Sequence, residues 1–504
     1  MNTSIRHIIL FLLLIISQHG VKAQTDTVLV EHHSVWNTLL EDTWHNPALH
    51  GQAFSTSLTQ VMLTADYRHQ TDAFVVQKGT GHVFYDLSAD AFLRLSDNTA
   101  VWGRAQYMTG KCWNICWNSV SDYDLLEPYI LADTLGGDTE RERYVFEGGY
   151  ATSLGKWNLG GELLFRADHE YRTTDPRMRS IVTDLTIRAG AAYDAYGYHW
   201  ALDGEANVYK QTSNVSFYRE TGVIPEYQMT GLGAVNIRFS GEVNNMYFNG
   251  GGTAVSLSAT PDDRQGLFAN AVWSQHRYER IAASLNSLPL TTLYANRLIG
   301  QIGWRHSRRN DWMLLAAVDY QRRLGDENIV GSGASSIYPV LTTLTMYKHH
   351  LLDASLQAVY GRRGSTDWHL SLRGGYLSNA EKYMEPSRKL EYSRVYGRID
   401  GQILASPVHR LTLDCRLHGA YYKQVANEMS IPLANTDATL ANMLAHNFDY
   451  LKADYSTFGA SVRGDWHFDK SRRYAAFALL SADAVMTSVD GSEVGLNCSI
   501  GITF

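Results

Sequence analysis

Several things are scarce in this sequence, and each scarcity closes a route. Four cysteines in 504 residues cannot frame a disulfide-rich fold, and none sits in an array with zinc-ligand spacing. Ten prolines leave long stretches free to pair as strands. Past the N-terminal 24 residues no apolar run exceeds seven, as in Tyr474 to Leu480. Helical membrane spans need about 20 such residues and are excluded. A net charge of −7 with no basic block gives nucleic acid nothing to meet. No catalytic motif is present, so the chain is not expected to be an enzyme. No cofactor or metal is expected either. The pairs His32-His33 and His349-His350 would point to opposite faces of a strand and read as solvated histidines.

What is present begins with an export signal. Arg6 and His7 precede nine apolar residues, Ile8 to Ile16, and Val21-Lys22-Ala23 offers a cleavage site before Gln24. Nine residues rise only about 14 Å as a helix, too little for an anchor. Residues 1–23 are therefore expected to be a cleaved signal peptide. Residues 24–53 are expected to be a periplasmic tail or a small stopper carrying Trp36, Leu39, Leu40 and Trp44, and residues 54–504 a barrel.

The barrel expectation rests on alternation. In His82 to Leu95 the residues Val83, Tyr85, Leu87, Ala89, Ala91, Leu93 and Leu95 share one face, opposite His82, Asp86, Ser88, Asp90 and Arg94. Period two with apolar residues on one face is what a strand between lipid and a polar lumen requires. The pattern recurs at Trp157 to Ala167, Leu185 to Tyr193, Trp200 to Val208, Trp368 to Tyr376, Leu411 to Tyr421 and Phe458 to Trp466.

Eight short turns punctuate the strands: Ser96 to Thr99, Gly155-Lys156, Asp194 to Gly197, Pro261 to Asp263, Ser307 to Asp311, Arg362 to Asp367, Ser406 to Val408 and Asp469 to Arg473. Longer connections fall around 114–142, 213–228, 324–340 and 424–447. With an opening strand near Phe54 to Arg68 and a closing strand, the count is eighteen, with sixteen or twenty as neighbours. The segment 228–260, with its glycine-rich Asn249 to Gly252, reads equally as a loop, a bulge or a hairpin. The predicted fold is all-β: a single antiparallel transmembrane barrel with both termini periplasmic.

Trp157, Trp200, Trp304, Trp312, Trp368 and Trp466 lie beside short turns on the apolar face, as a periplasmic aromatic girdle would. The chain ends with Leu496, Cys498, Ile500, Ile502 and Phe504 on one face. This resembles the C-terminal assembly signal of outer-membrane barrels, and implies an outer-membrane location in a Gram-negative cell, with membrane lipid and the barrel-assembly machinery as partners. Cys112 and Cys116, where a strand leaves for a long loop, are candidates for a local disulfide, two free thiols being the alternative.

As a whole the chain resembles uncharacterised, plugless outer-membrane barrel families. Asn46-Pro47-Ala48 is similar to a tripeptide of long-chain fatty-acid channels, which have fewer strands. Asp26 to Val30 looks like the coupling box of TonB-dependent transporters, whose large plug has no counterpart here.

The face opposite each apolar stripe is expected to line the lumen with Asp90, Arg94, Arg104, Glu162, Arg166, Asp184, Arg188, Asp203, Glu205, Arg373, Arg398, Asp400, Asp414, Arg416, Arg463 and Asp465. Acids and arginines balance, which points to weak ion selectivity. The functional expectation is a channel for small polar solutes. The alternatives are a surface receptor or scaffold whose outer loops bind a protein, and an apolar-ligand uptake channel suggested by Asn46-Pro47-Ala48.

Overall fold

The computed structural model describes residues 27–41, 46–218, 226–239, 245–308, 310–333, 337–364, 366–432, 437–468 and 474–504. The signal segment, Trp44 and the turn Asp469 to Arg473 lie outside the described residues. Eighteen antiparallel strands form one closed sheet in which each strand pairs with its neighbours in sequence. They are β1 (Leu58–Gln70), β2 (Gly81–Ser96), β3 (Thr99–Ile115), β4 (Gly137–Leu154), β5 (Trp157–Tyr171), β6 (Arg177–Ala195), β7 (Tyr198–Ser216), β8 (Asn245–Pro261) and β9 (Gly266–Ala282). The second half comprises β10 (Leu288–Ser307), β11 (Asp311–Val330), β12 (Val340–Arg362), β13 (Thr366–Tyr383), β14 (Arg388–Val408), β15 (Leu411–Ser430), β16 (Tyr455–His467), β17 (Ala475–Thr487) and β18 (Ser492–Thr503).

Closure is made between β1 and β18, with Gln60 opposite Thr503 and Gln70 opposite Glu493. Phe504 completes the seam: its amide donates to Thr59 O at 2.8 Å and its carbonyl accepts from Thr59 N at 2.7 Å. Closing the sheet leaves no unpaired edge, the condition for a sheet to stand in hydrocarbon. The outer face carries the alternating residues, with Tyr85, Leu87, Leu163, Ile187, Leu314, Leu372 and Phe458 all exposed. Leu496, Cys498, Ile500, Ile502 and Phe504 face outward with them.

Near the short turns Trp157, Trp200, Trp304 and Trp466 are exposed. Trp304 and Trp312 lie with centroids 4.0 Å apart, and Trp157 packs on Tyr193 at 4.8 Å. Strands at the other end run far past what a bilayer needs. β12 has 23 residues, where roughly ten suffice to span. The ends of 114–142 and 324–340, expected as loop, are therefore strand: β3 continues to Ile115, β4 starts at Gly137 and β11 reaches Val330. Beyond the hydrocarbon the backbone ladder persists while the apolar alternation that marks it in sequence stops.

The ambiguous 228–260 resolves into two parts. Tyr227–Gly231 and Ala234–Val235 join Leu131–Ala132 in a small three-stranded sheet among the loops. Asn249 to Gly252 lies within β8, where side chains of β9 cross it. A Cβ at Gly250 would come 2.5 Å from the Tyr278 ring, and one at Gly252 2.2 Å from that of His276. The candidate disulfide is absent, since Cys112 and Cys116 are both free thiols. Asn114, with φ of +55°, breaks the extended run between them, and Cys116 Sγ points to the Thr134 carbonyl at 3.0 Å instead.

Candidate functional site in the barrel lumen

The N-terminal segment runs inside the barrel near the short turns. It carries α1 (Thr27–His33), α2 (Val35–Glu41) and α3 (Pro47–His50). Asn46 caps α3, its Oδ1 accepting from Ala48 N at 2.9 Å, and Pro47 fills the first helical position, where no amide partner is needed. The wall is cut to receive this turn. A Cβ at Gly160 would lie 2.5 Å from the Pro47 carbonyl carbon, and one at Gly190 2.1 Å from Asn46 Oδ1. Asn46-Pro47-Ala48 thus seats the segment against β5 and β6. Arg94, expected to line the lumen, donates to the Gly51 and Phe54 carbonyls at 2.8 and 2.6 Å and ties the segment's end to β2.

Two further contacts hold α1 and α2. Trp36, only 1% exposed, lies between the Arg305 guanidinium, 4.2 Å from its ring, and His369, stacked at 5.6 Å. Gln402 grips the helix junction from both sides, its Oε1 accepting from Val35 N at 2.7 Å and its Nε2 donating to His33 O at 2.8 Å. Arg416 adds a second donor to the same His33 carbonyl at 2.8 Å.

The opposite mouth is filled by loops. Residues 116–136, which carry α4 (Tyr123–Leu126), pack with parts of 217–244 and with α5 (Ala438–Leu451). Their Leu126, Tyr129, Ile130, Met229, Leu232, Leu440 and Phe448 join wall residues from β6 to β14 in one buried cluster. Wall arginines reach in to hold loop carbonyls: Arg280 to Met229 O at 2.8 Å, Arg323 to Leu125 O at 2.6 Å and Arg388 to Leu232 O at 2.9 Å. Arg394 does the same for Leu451 O, and Arg166 binds Asp122 of the first loop at 2.7 Å. Of these, only Arg166 was singled out in the sequence. The signal for the rest was present as inward-parity arginines near strand ends, where no alternation draws attention to them.

The remaining lumen-lining residues pair along the wall rather than across the lumen. Arg188 bridges Glu162 and Glu205 at 3.2 and 2.6 Å, and Arg166 also meets Asp184 at 3.0 Å. Arg104 lies 3.5 Å from Asp90, and Asp203 accepts from Ser256. On three strands the partners are two residues apart: Arg398 with Asp400 at 2.6 Å, Arg416 with Asp414 at 2.8 Å and Arg463 with Asp465 at 2.8 Å. Arg373 differs, its guanidinium donating to the neutral Gln357 Oε1 at 2.9 Å.

Between the N-terminal segment and β12 to β17 lies a chamber of about 680 Å³. His33, His369, Gln402, Ser461 and Asp483 supply polar lining beside Arg373, Arg398, Arg416 and Arg463, and Val35, Leu39 and Leu479 supply apolar lining. The volume suits a small organic solute with a few convergent polar groups. Among the described residues no group of three or more potential metal ligands occurs. His349 and His350 point to opposite faces, as expected, but His349 is buried on Asn379 at 2.7 Å rather than solvated.

A family model described as "Family of unknown function (DUF6850)" matches residues 47–504. The chain belongs to this family. No curated protein matches the sequence. Solved structures with a similar course include a mutant of the ferric enterobactin receptor PfeA from Pseudomonas aeruginosa, at 8% identity and TM-score 0.39 over 88% of this chain and 80% of that one. The ferric preacinetobactin receptor BauA from Acinetobacter baumannii gives 8% identity and TM-score 0.40 over the same shares. A bacterial polysaccharide outer-membrane secretin gives 10% identity and TM-score 0.35 over 74% of this chain and 94% of that one.

The loop cluster that fills the mouth holds the Glu226 carboxyl in an unusual state. Glu226 is 2% exposed, and among the described residues neither of its oxygens has a hydrogen-bond partner. Burial, then the nearby Asp133, push its carboxyl well above the usual range, against the pull of Arg172. Its folded value lies above its unfolded one, so its contribution to stability is present at low pH and lost as pH rises. The melting temperature of the wild type is expected to fall between pH 5 and pH 8, and Glu226→Gln to flatten that fall. Equal pH dependence in the two proteins would refute the assignment.

Proposed function

We propose that this protein is an outer-membrane barrel that passes a small polar solute through a gated lumen. In this reading the N-terminal segment is a periplasmic stopper, and the folded loops are the outer gate. The observation that carries it is the chamber: an eighteen-stranded barrel is wide enough for an aqueous passage unless something fills it. Here the filling stops short and leaves about 680 Å³ with charged walls. Wall pairing of acids with arginines leaves little net field, in keeping with a polar rather than a strongly ion-selective path.

Accessibility of a cysteine at Ser461 tests this reading, in a background where the four native cysteines are serine. A small hydrophilic maleimide should label it slowly in the full chain and at least about tenfold faster when residues 24–53 are deleted, because the stopper shields the chamber. Unchanged labelling would mean that the stopper does not guard the chamber.

A second reading, a surface receptor, draws on the far end. Ile237 (85% exposed) and Ile337 (63% exposed) stand beside Arg238, which lies over the Phe239 and Tyr338 rings. Exposed apolar residues around an arginine and aromatic rings make a surface suited to a protein partner.

A further inference from the structure

We propose that the chamber contains an oxyanion subsite centred on Arg373, so that the solute it takes carries a carboxylate or phosphate group. The inference rests on the gated-passage reading and narrows its substrate class.

The register of the wall supplies the first observation. Arg373 on β13 stands directly opposite Arg398 on β14, and both line the chamber. Directly opposed residues place their Cβ atoms about 5 Å apart, and like charges so placed repel. A wall built only for rigidity would put an acid at one of these positions, as it does at Arg463, which stands opposite Asp414.

The second observation is how each arginine is compensated. Arg398 has Asp400, Arg416 has Asp414 and Arg463 has Asp465, each at 2.6 to 2.8 Å. Among the described residues Arg373 has only the side-chain oxygen of Gln357, whose amide nitrogen is in turn spent on Ser371 Oγ at 2.8 Å. The remaining chamber carboxylate, Asp483 on β17, lies 3.4 Å from His418 and four strands from Arg373, roughly 19 Å around the wall. Arg373 is therefore held in place by a neutral acceptor with most of its five donors uncommitted.

Chemistry supplies the class of ligand. A planar guanidinium binds carboxylate or phosphate through two parallel hydrogen bonds, and a second arginine alongside strengthens the attraction for an anion while repelling cations. Gln357 and Ser371 fix the orientation of the Arg373 fork, and Ser461 and Ser481 further along the chamber offer partners for hydroxyl groups on the rest of the solute.

Calorimetry on the purified full chain, with inorganic phosphate, gluconate and neutral glucose as probes, tests the proposal. At least one of the two oxyanions should bind, and which one separates a phosphate site from a carboxylate site. Arg373→Gln should weaken that binding by at least about tenfold, the worth of one lost charge-assisted contact, and Arg373→Lys should weaken it less. Glucose binding should be indifferent to both substitutions. If neither oxyanion binds, or if Arg373→Gln binds them as the wild type does, the subsite is refuted. Ser461→Trp, which fills the chamber, separates the two levels of the argument. Oxyanion binding lost in Ser461→Trp but kept in Arg373→Gln refutes the subsite and leaves the chamber standing, whereas binding indifferent to both refutes the chamber as well.

Discussion

Replacing Trp36 by Ala is expected to release the N-terminal stopper from the wall while the barrel around it keeps its stability. The indole is 1% exposed and packs with Phe268, Met313, Leu315 and Val359. Removing a buried tryptophan side chain costs about 3–5 kcal/mol. That loss falls on a small unit, because α1 and α2 are seven residues each and do not persist without tertiary contacts. Other ties of this unit include the hydrogen bonds at Gln402, Arg416 and the Glu31 carboxylate, which accepts from Ser55 N and Thr56 Oγ1, each worth about 1–3 kcal/mol, and the His32 ring, stacked on Phe54 at 4.0 Å. The Arg305 guanidinium would also be left over an empty cleft, with Nε and Nη1 already unpartnered. Hydrogen exchange of residues 27–41 reads the effect: protection should collapse in Trp36→Ala while that of β10 to β13 is unchanged. Retained protection would show that Trp36 does not anchor the stopper.

The strand count was legible because lipid imposes it. Every strand in hydrocarbon must alternate, and every short turn must break the alternation. The eighteen strands follow from the turns at Gly155-Lys156, Asp194 to Gly197 and their equivalents. The same logic explains what was missed. Beyond the bilayer both faces of a strand meet polar surroundings, so Asp138 to Arg143, with its alternating Glu and Arg, reads as loop although it is part of β4.

Whether residues 24–53 stop the lumen or trail from it could not be read locally, since their seat depends on Gly160, Gly190 and Arg305, more than a hundred positions away in the chain. The charged lumen residues were visible by parity, but their pairing was not. Wall pairs at spacing two, as in Arg398 and Asp400, look identical in sequence to pairs reaching across a pore. Arg373 becomes distinctive only once Arg398 is known to stand opposite.

The most direct measurement for a gated passage is current through single barrels in planar bilayers. Two separately folded obstructions occupy the lumen, the stopper at one end and the loop cluster at the other. Removing only one leaves the other in series. The full chain is therefore expected to carry no sustained current, and deletion of residues 24–53 alone to add little. Combining that deletion with replacement of residues 118–134, 218–243 and 432–452 by short glycine-serine linkers removes the loop residues of the outer cluster, Leu126, Tyr129, Met229, Leu232, Leu440 and Phe448 among them. The account predicts sustained ohmic current in that double variant, at least about tenfold above the full chain, because an unfilled lumen of this strand number is an aqueous channel. A double variant that assembles as a heat-modifiable barrel and still carries no current would contradict it.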